Sequence, residues 1–230
     1  MKMVPLDAPA SVKFQTQQEL ITLQKSALVG NTLGLVDHFQ SEEFDFIVTK
    51  KPKQTLLKHL MQSKDEEDRW FSERGAAGLL KPIFEAVDEL HYRGVVHRDI
   101  CLGKIDIRGK DKKLLVQLHG FEHAIQLTSK QGELTSAEQL AMTIENGSTT
   151  APEILEGQEH GKPADIYGLG QVAYQLLCST SSWEPQILQV TNNSVSQGEE
   201  ELDELIHRSG SNFWQSQISE EVKELIARMV

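Results

Sequence analysis

Residues 76 to 100 constrain this chain more than any other stretch. Leu79, Ile83, Val87 and Leu90 share one stripe of a helix predicted over residues 76–92, and Gly94 closes it. Directly after it comes Val95-Val96-His97-Arg98-Asp99-Ile100, three ionisable residues set between apolar ones. Two β-prone runs follow, at residues 104–107 and 114–118. The polar turn Gly109-Lys110-Asp111 between them predicts a hairpin.

The first 50 residues read as strand, helix, strand, strand. Lys2-Met3-Val4 is short and β-prone, and residues 15–28 predict a polar helix burying Leu20, Leu23 and Leu28 on one face. Residues 33–36 and 44–48 predict two strands, with a turn at Ser41-Glu42-Glu43. Gly30 and Gly34 lack a following Gly-Lys-Ser/Thr or a helix start, so they read as turn punctuation rather than a phosphate loop. After Lys50-Lys51-Pro52 the pattern turns helical: a short amphipathic helix at residues 55–62, a solvated charge run at 64–68, and a long apolar helix at 164–178. Residues 191–201 predict a loop, and Ser219 is the expected N-cap of a last helix.

Composition bounds the function classes. The 230 residues are 39% hydrophobic and 25% charged, ordinary for a globular chain, with length enough for a substantial core. A net charge of -11 argues against non-specific binding to nucleic acid or to anionic membrane. No apolar run reaches the length of a membrane span, and the start Met1-Lys2-Met3-Val4-Pro5 does not read as a signal peptide. Cys101 and Cys178 lie 77 residues apart and form no metal-like cluster; two free thiols and one disulfide both fit.

The order of elements, with His97-Arg98-Asp99, Ala151-Pro152-Glu153, Asp165-Ile166-Tyr167-Gly168 and the run from Val222 to Met229, resembles the eukaryotic protein-kinase fold over nearly the whole chain. The resemblance implies an α+β, bilobal architecture. Residues 1–52 are then a truncated, β-rich N-lobe without a Gly-rich loop, and residues 53–230 a mainly helical C-lobe, incomplete at its end. It places Lys2 at the family's third-strand lysine, Glu19 at the helical glutamate that pairs with it, and Thr49 at the gatekeeper. Leu23, Leu35, His97 and Phe121 fall on the apolar stack tying the lobes together, and Asp99 on the catalytic aspartate.

Other positions are degenerate. Phosphoryl transfer depends on positioning and on charge neutralisation by magnesium. Gly120-Phe121-Glu122 stands where the metal-binding Asp-Phe-Gly belongs, Lys104 where a second ligand, Asn, belongs, and Cys101 where a phosphate-contacting lysine belongs. Asp106 takes the place of an apolar residue under the adenine, where a carboxylate without a partner is costly; a shifted alignment puts Asp106 at the Asn site instead. Losing metal and lysine contacts worth several kcal/mol each is expected to slow catalysis roughly 10⁴-fold or more.

Gly120-Phe121-Glu122-His123 is similar to the Gly-Phe-Glu-His of the rhoptry pseudokinases of apicomplexan parasites. That likeness implies a secreted virulence effector in the parasitophorous vacuole or host cell, with a protein partner such as an active kinase or another secreted effector. The expectation is therefore a catalytically inactive pseudokinase acting as a scaffold or allosteric regulator, with no cofactor, no metal, no nucleic acid and no membrane span. The alternative is an atypical active kinase, or a nucleotidyl transferase, with divergent or metal-independent use of ATP. Three further expectations attach to the fold: an under-satisfied Glu153, an irregular stretch at residues 127–132, and structural rather than phosphorylated Thr149 and Thr150.

Overall fold

The structure, a computed structural model, describes residues 1–62, 71–109, 114–127, 150–158, 160–177 and 218–230. It opens with strand β1 (Lys2–Pro5) and helix α1 (Ala10–Ser26), followed by β2 (Leu35–Gln40) and β3 (Phe44–Thr49). The three strands form an antiparallel sheet in the order β1-β3-β2, with Lys2 opposite Ile47 and Gln40 opposite Asp45. The β2–β3 turn is closed by Ser41, whose Oγ accepts from the Phe44 N–H at 3.0 Å.

Helix α1 begins five residues before the expected start, because nothing from Ala10 onward breaks a helix. Its buried face is unusually polar. Thr22 and Ser26 are wholly buried, and their hydroxyls donate to the carbonyls of Glu19 and Leu23. Leu23 enters the core as expected, whereas Leu28 falls beyond the helix end and is 70% exposed. Strand β2 also starts later than the sequence suggests and runs on through His38-Phe39-Gln40, after a register shift between Leu35 and Asp37.

The rest is mainly helical: α2 (Leu56–Gln62), α3 (Glu73–Tyr92), α4 (Pro152–Leu155), α5 (Lys162–Leu177) and α6 (Glu220–Ala227). Short strands β4 (Val95–Val96) and β7 (Ile125–Gln126) pair with each other, and β5 (Ile105–Arg108) pairs with β6 (Leu115–Leu118) as the expected hairpin. Ser72 caps α3 through its Oγ, which accepts from the Gly75 N–H. Ser219 does not cap α6 with its side chain; its own N–H donates to the Glu73 carboxylate instead. The charge run at residues 64–68, the stretch at 128–132, Thr149, Cys178 and the loop at 191–201 lie outside the described residues.

One apolar core runs through both parts of the molecule. Leu79, Ile83, Val87 and Leu90 of α3 meet Leu169, Val172 and Leu176 of α5, and the same cluster reaches Leu23 and Ile47 of the sheet and Phe121. Backbone bonds add to the join: Leu33 N–H donates to Leu118 O and Leu118 N–H to Asn31 O, both at 2.8 Å. Helix α5 approaches the loop after β4 so closely that a Cβ at Gly168 would lie 2.9 Å from the Ile100 carbonyl oxygen. That approach sets where His97, Arg98 and Asp99 can stand.

Candidate functional site

The site is built on the loop from His97 to Lys104, between β4 and β5. Its first residues hang on one buried carboxylate. Asp165, 1% exposed at the start of α5, accepts from the backbone N–H groups of His97 (2.9 Å) and Arg98 (2.7 Å), and its Oδ2 lies 2.7 Å from His91 Nε2 on α3. Arg98 takes a left-handed backbone conformation, φ 65°, which costs a non-glycine residue energy that these bonds offset. Its Nε donates to His123 O at 2.7 Å and its Nη1 to His160 Nε2 at 3.3 Å, while His160 Nδ1 faces Gln158 O at 2.9 Å.

His97 is wholly buried and neutral, its pKa pushed down by burial. Its Nε2 faces His119 O at 3.2 Å and its Nδ1 accepts from the Asp99 N–H at 3.3 Å, which fixes the tautomer. The ring meets Phe121 edge-on, centroids 5.0 Å apart. Leu23 and Phe121 join one core cluster with Leu35 packed against it, so the four residues of the expected apolar stack belong to one packed unit.

Lys2 and Glu19 do meet. Lys2 Nζ lies 2.5 Å from Glu19 Oε2, joining β1 to α1; the Glu19 side chain is 5% exposed and that of Lys2 38%. Burial pushes the Glu19 carboxyl above its ordinary value although the Lys2 ammonium pulls it down, and the charge of Glu122 adds to the rise. Gln15 of α1 donates to the Glu122 backbone carbonyl at 3.2 Å, which ties α1 to that segment.

Lys104 forms the other half of the site. Its ammonium stands between Asp99 Oδ2, at 3.3 Å, and Glu122 Oε2, at 3.1 Å. Burial would lower the Lys104 pKa, but the two carboxylates together more than reverse this and raise it. Glu122 is lowered in turn: partial burial is the largest single influence and raises its pKa, but the Lys104 charge and the hydrogen bonds to the carboxylate together reverse it. Cys101, half-buried and free, has its thiol pushed up by burial and by the Asp99 charge, so it is a poor nucleophile.

Magnesium does not fit this donor set. Gly120 offers no ligand, Lys104 presents a positive charge between the carboxylates, and among the described residues no group of three or more His, Cys, Asp and Glu side chains could hold a metal ion. An acceptor hydroxyl fits better. Asp99 Oδ2 is buried and meets the Lys104 ammonium at 3.3 Å, and a carboxylate oxygen with one such partner keeps a second lone pair for an O–H donor.

Asp106 corrects an expectation. It is not a partnerless carboxylate: Oδ1 accepts from the Gln54 N–H at 2.8 Å, and Oδ2 lies 2.6 Å from Arg108 Nε, while Arg108 also donates to Lys51 O. The desolvation objection to a nucleotide therefore falls. Sequence reading also missed four contributors. Asp165 was visible only as part of a motif, Arg108 stands two residues from the group it neutralises, and Glu122 gains its role from Lys104. His119 has a buried Nε2 without a partner among the described residues and a pKa lowered to about 4 by burial and then by the charge of Lys104. Glu153 makes no ion pair among the described residues.

The protein kinase domain family model matches residues 1–230. Relatives include calcium/calmodulin-dependent protein kinase type 1 of Caenorhabditis elegans, 24% identical over 95% of this chain and 57% of that protein. MAP kinase-activated protein kinase 2 of Oryctolagus cuniculus is 29% identical over 73% of this chain and 43% of its own length. Ribosomal protein S6 kinase alpha-3 of Homo sapiens is 27% identical over 95% of this chain and 28% of its own. The chain thus spans about half, or less, of the relatives it matches.

These findings overturn the expectation of an inactive scaffold that is not an enzyme. The relatives are named as protein kinases, and none of the three is a rhoptry protein. The physical error lay in summing the lost contacts at Cys101, Lys104 and Gly120 as though nothing replaced them, and in taking Asp106 for a carboxylate without a partner. Lys104 puts a positive charge between Asp99 and Glu122, and Asp106 is neutralised by Arg108. Matched by that model from its first residue to its last, the chain belongs to the protein kinase domain family.

Proposed function

We propose that this chain transfers the terminal phosphoryl group of ATP to a hydroxyl of a protein acceptor, with a divergent treatment of the nucleotide's charge. The observation that carries the reading is the formed Lys2–Glu19 pair together with a buried Asp99 whose one charged partner among the described residues is the Lys104 ammonium. ATP would supply the transferable group. Asp99 orients the acceptor hydroxyl and takes its proton. As the oxygen–phosphorus bond to the acceptor forms, the bond from that phosphorus to the β–γ bridging oxygen breaks, and ADP leaves. Lys2, held by Glu19 yet more than a third exposed, has room for a phosphate oxygen.

The names of the relatives support the same class of reaction. The reading carries with it a division near residues 50–53 into a strand-rich part, 1–52, and a helical part, 53–230. It also carries a protein as partner, in the role of phosphoryl acceptor; no described helix is long and apolar enough to cross a membrane. The likeness of Gly120–His123 to rhoptry proteins bears on lineage alone.

The test is transfer from ATP labelled at the γ position to myelin basic protein, with Asp99→Asn and Lys2→Met beside the parent. Transfer that falls about a hundredfold or more in both variants is expected. No transfer by the parent overturns the reading, and transfer only from ATP labelled at the α position assigns nucleotidyl transfer instead.

A further inference from the structure

We infer that Lys104 is the built-in counter-charge of the phosphate site, and that Gly120 is the condition for its presence there. The inference rests on the kinase reading and names the group Lys104 meets: the terminal phosphates of the nucleotide.

The two positions are one feature. Lys104 and Gly120 stand where the family resemblance expects two metal ligands, and the Lys104 side chain runs through the space that a residue at 120 would fill. A Cβ on Gly120 would lie 2.9 Å from Lys104 Nζ and 3.0 Å from Cε, and closer still to Cδ. Gly120 also has φ 85°, a conformation that strains any other side chain. A side chain at 120 would have to displace Lys104 from the path it takes here. A divalent cation entering between Asp99 and Glu122 would meet an ammonium group already there.

The ammonium is also free to change partners. Asp99 is buried, with its side chain 7% exposed, and keeps its hold on Lys104, whereas Glu122 is 48% exposed and can exchange the lysine for water. A partly exposed ion pair is readily exchanged, so a phosphate oxygen competes with Glu122 for Lys104 at little cost. The lysine then does by reach what a bound metal does by coordination. Lys2, on the far side of Glu19, provides the second positive charge.

Isothermal titration calorimetry with ATP tests this, in excess EDTA and in millimolar magnesium, on the parent and on Lys104→Gln, Gly120→Asp and the double variant Lys104→Asn with Gly120→Asp. The parent is expected to bind equally, within about twofold, in both media. Lys104→Gln is expected to lose about tenfold or more without rescue by magnesium, the worth of a charge-assisted contact. Gly120→Asp alone gains nothing from magnesium, and the double variant gains about tenfold.

Parent binding that requires magnesium overturns the inference and leaves the kinase reading standing. Binding by Lys104→Gln equal to the parent's, or a magnesium gain from Gly120→Asp alone, overturns it likewise. Absence of binding in both media removes this inference and the kinase reading together. A thermal-denaturation cycle needs no nucleotide: Gly120→Ala should destabilise less in a Lys104→Ala background than in the parent. Equal destabilisation in the two backgrounds breaks the coupling of the two residues and with it the inference.

Discussion

The loop from His97 to Lys104 is held at its two ends by carboxylates in opposite ways. At the His97–Arg98 end, Asp165 is 1% exposed and gathers two backbone N–H groups and His91 into one buried knot. At the Lys104 end, the charge is carried by side chains alone, and one of them, Glu122, is about half exposed. A buried, fully bonded carboxylate fixes geometry, because losing one partner strands the others out of water. A half-exposed ion pair fixes little, since water replaces either partner cheaply. The first end is the frame, and the second is the adjustable charge.

Removing the frame is the harshest way to break this contrast. Asp165→Ala leaves two buried N–H groups and a strained Arg98 without their acceptor, and should cost about 3–5 kcal/mol. For a chain of this size that lowers the Tm by about 10 °C. Thermal denaturation followed by circular dichroism reads it, and a drop of under about 2 °C would show that the loop is held elsewhere.

Between the two ends stands His119, whose N–H donates to Lys104 O and whose carbonyl faces His97 Nε2. Its folded pKa, about 4, lies below the ordinary 6.5 of the unfolded chain. The folded state therefore binds fewer protons, and its stability is present above pH 6.5 and lost as pH falls toward 4. The loss should be about 2 kcal/mol, less than the shift alone implies because the ring is partly solvated. His119→Gln should flatten stability over that window; an unchanged acid limb in urea denaturation would remove His119 from the account.

Glu19 and Glu122 sharpen the contrast by responding to pH in opposite directions. The folded pKa of Glu19 is raised, so its charged form weakens the fold as pH climbs through and above 4.5. The folded pKa of Glu122 is lowered, so its contribution is present above 4.5 and disappears as pH falls through the folded value. Glu19→Gln should leave stability within about 1 kcal/mol of the parent, with the comparison shifting in the variant's favour as pH rises. Phosphoryl transfer should nevertheless fall about tenfold or more, because Lys2 loses its charged anchor. Stability of the variant that worsens with rising pH would reverse the assignment of burial as the dominant influence on Glu19.

The smallest effect belongs to Glu122→Gln. It should cost about 0.5 kcal/mol in dilute buffer and nothing measurable in about 1 M salt, because the pair it breaks is half exposed and screened. A cost that persists in high salt would mean that Lys104 is as tightly held as the Asp165 knot.

Local pattern carried the helices well. The stripe of α3 and the apolar run of α5 follow from spacing alone, and so does the β5–β6 hairpin, since each is set by residues within a turn or two of one another. Element ends were less legible. Leu28 looked like part of the buried stripe of α1, yet the helix stops at Ser26, where the Thr32 hydroxyl takes over the Ser26 carbonyl. Ser219 looked like a side-chain cap, but a carboxylate 146 residues away takes its N–H instead. The pair Lys2–Glu19 was named from the motif, and tertiary structure brought it together across 17 residues.

What the sequence determined by itself is the family and the loop: His97-Arg98-Asp99 after a long helix, and Gly120 where a metal ligand is expected. It could not decide what the departures mean. Lys104 and Glu122 are 18 residues apart, and Asp106 lies 52 residues from the Gln54 N–H that it accepts. Whether such groups stand alone or meet depends on which strands pair and which side chain has room. At Gly120 the missing side chain is at once a lost ligand and the space that Lys104 occupies. Sequence reports the loss; packing reports the space, because volume is shared only between residues that the fold has already brought together.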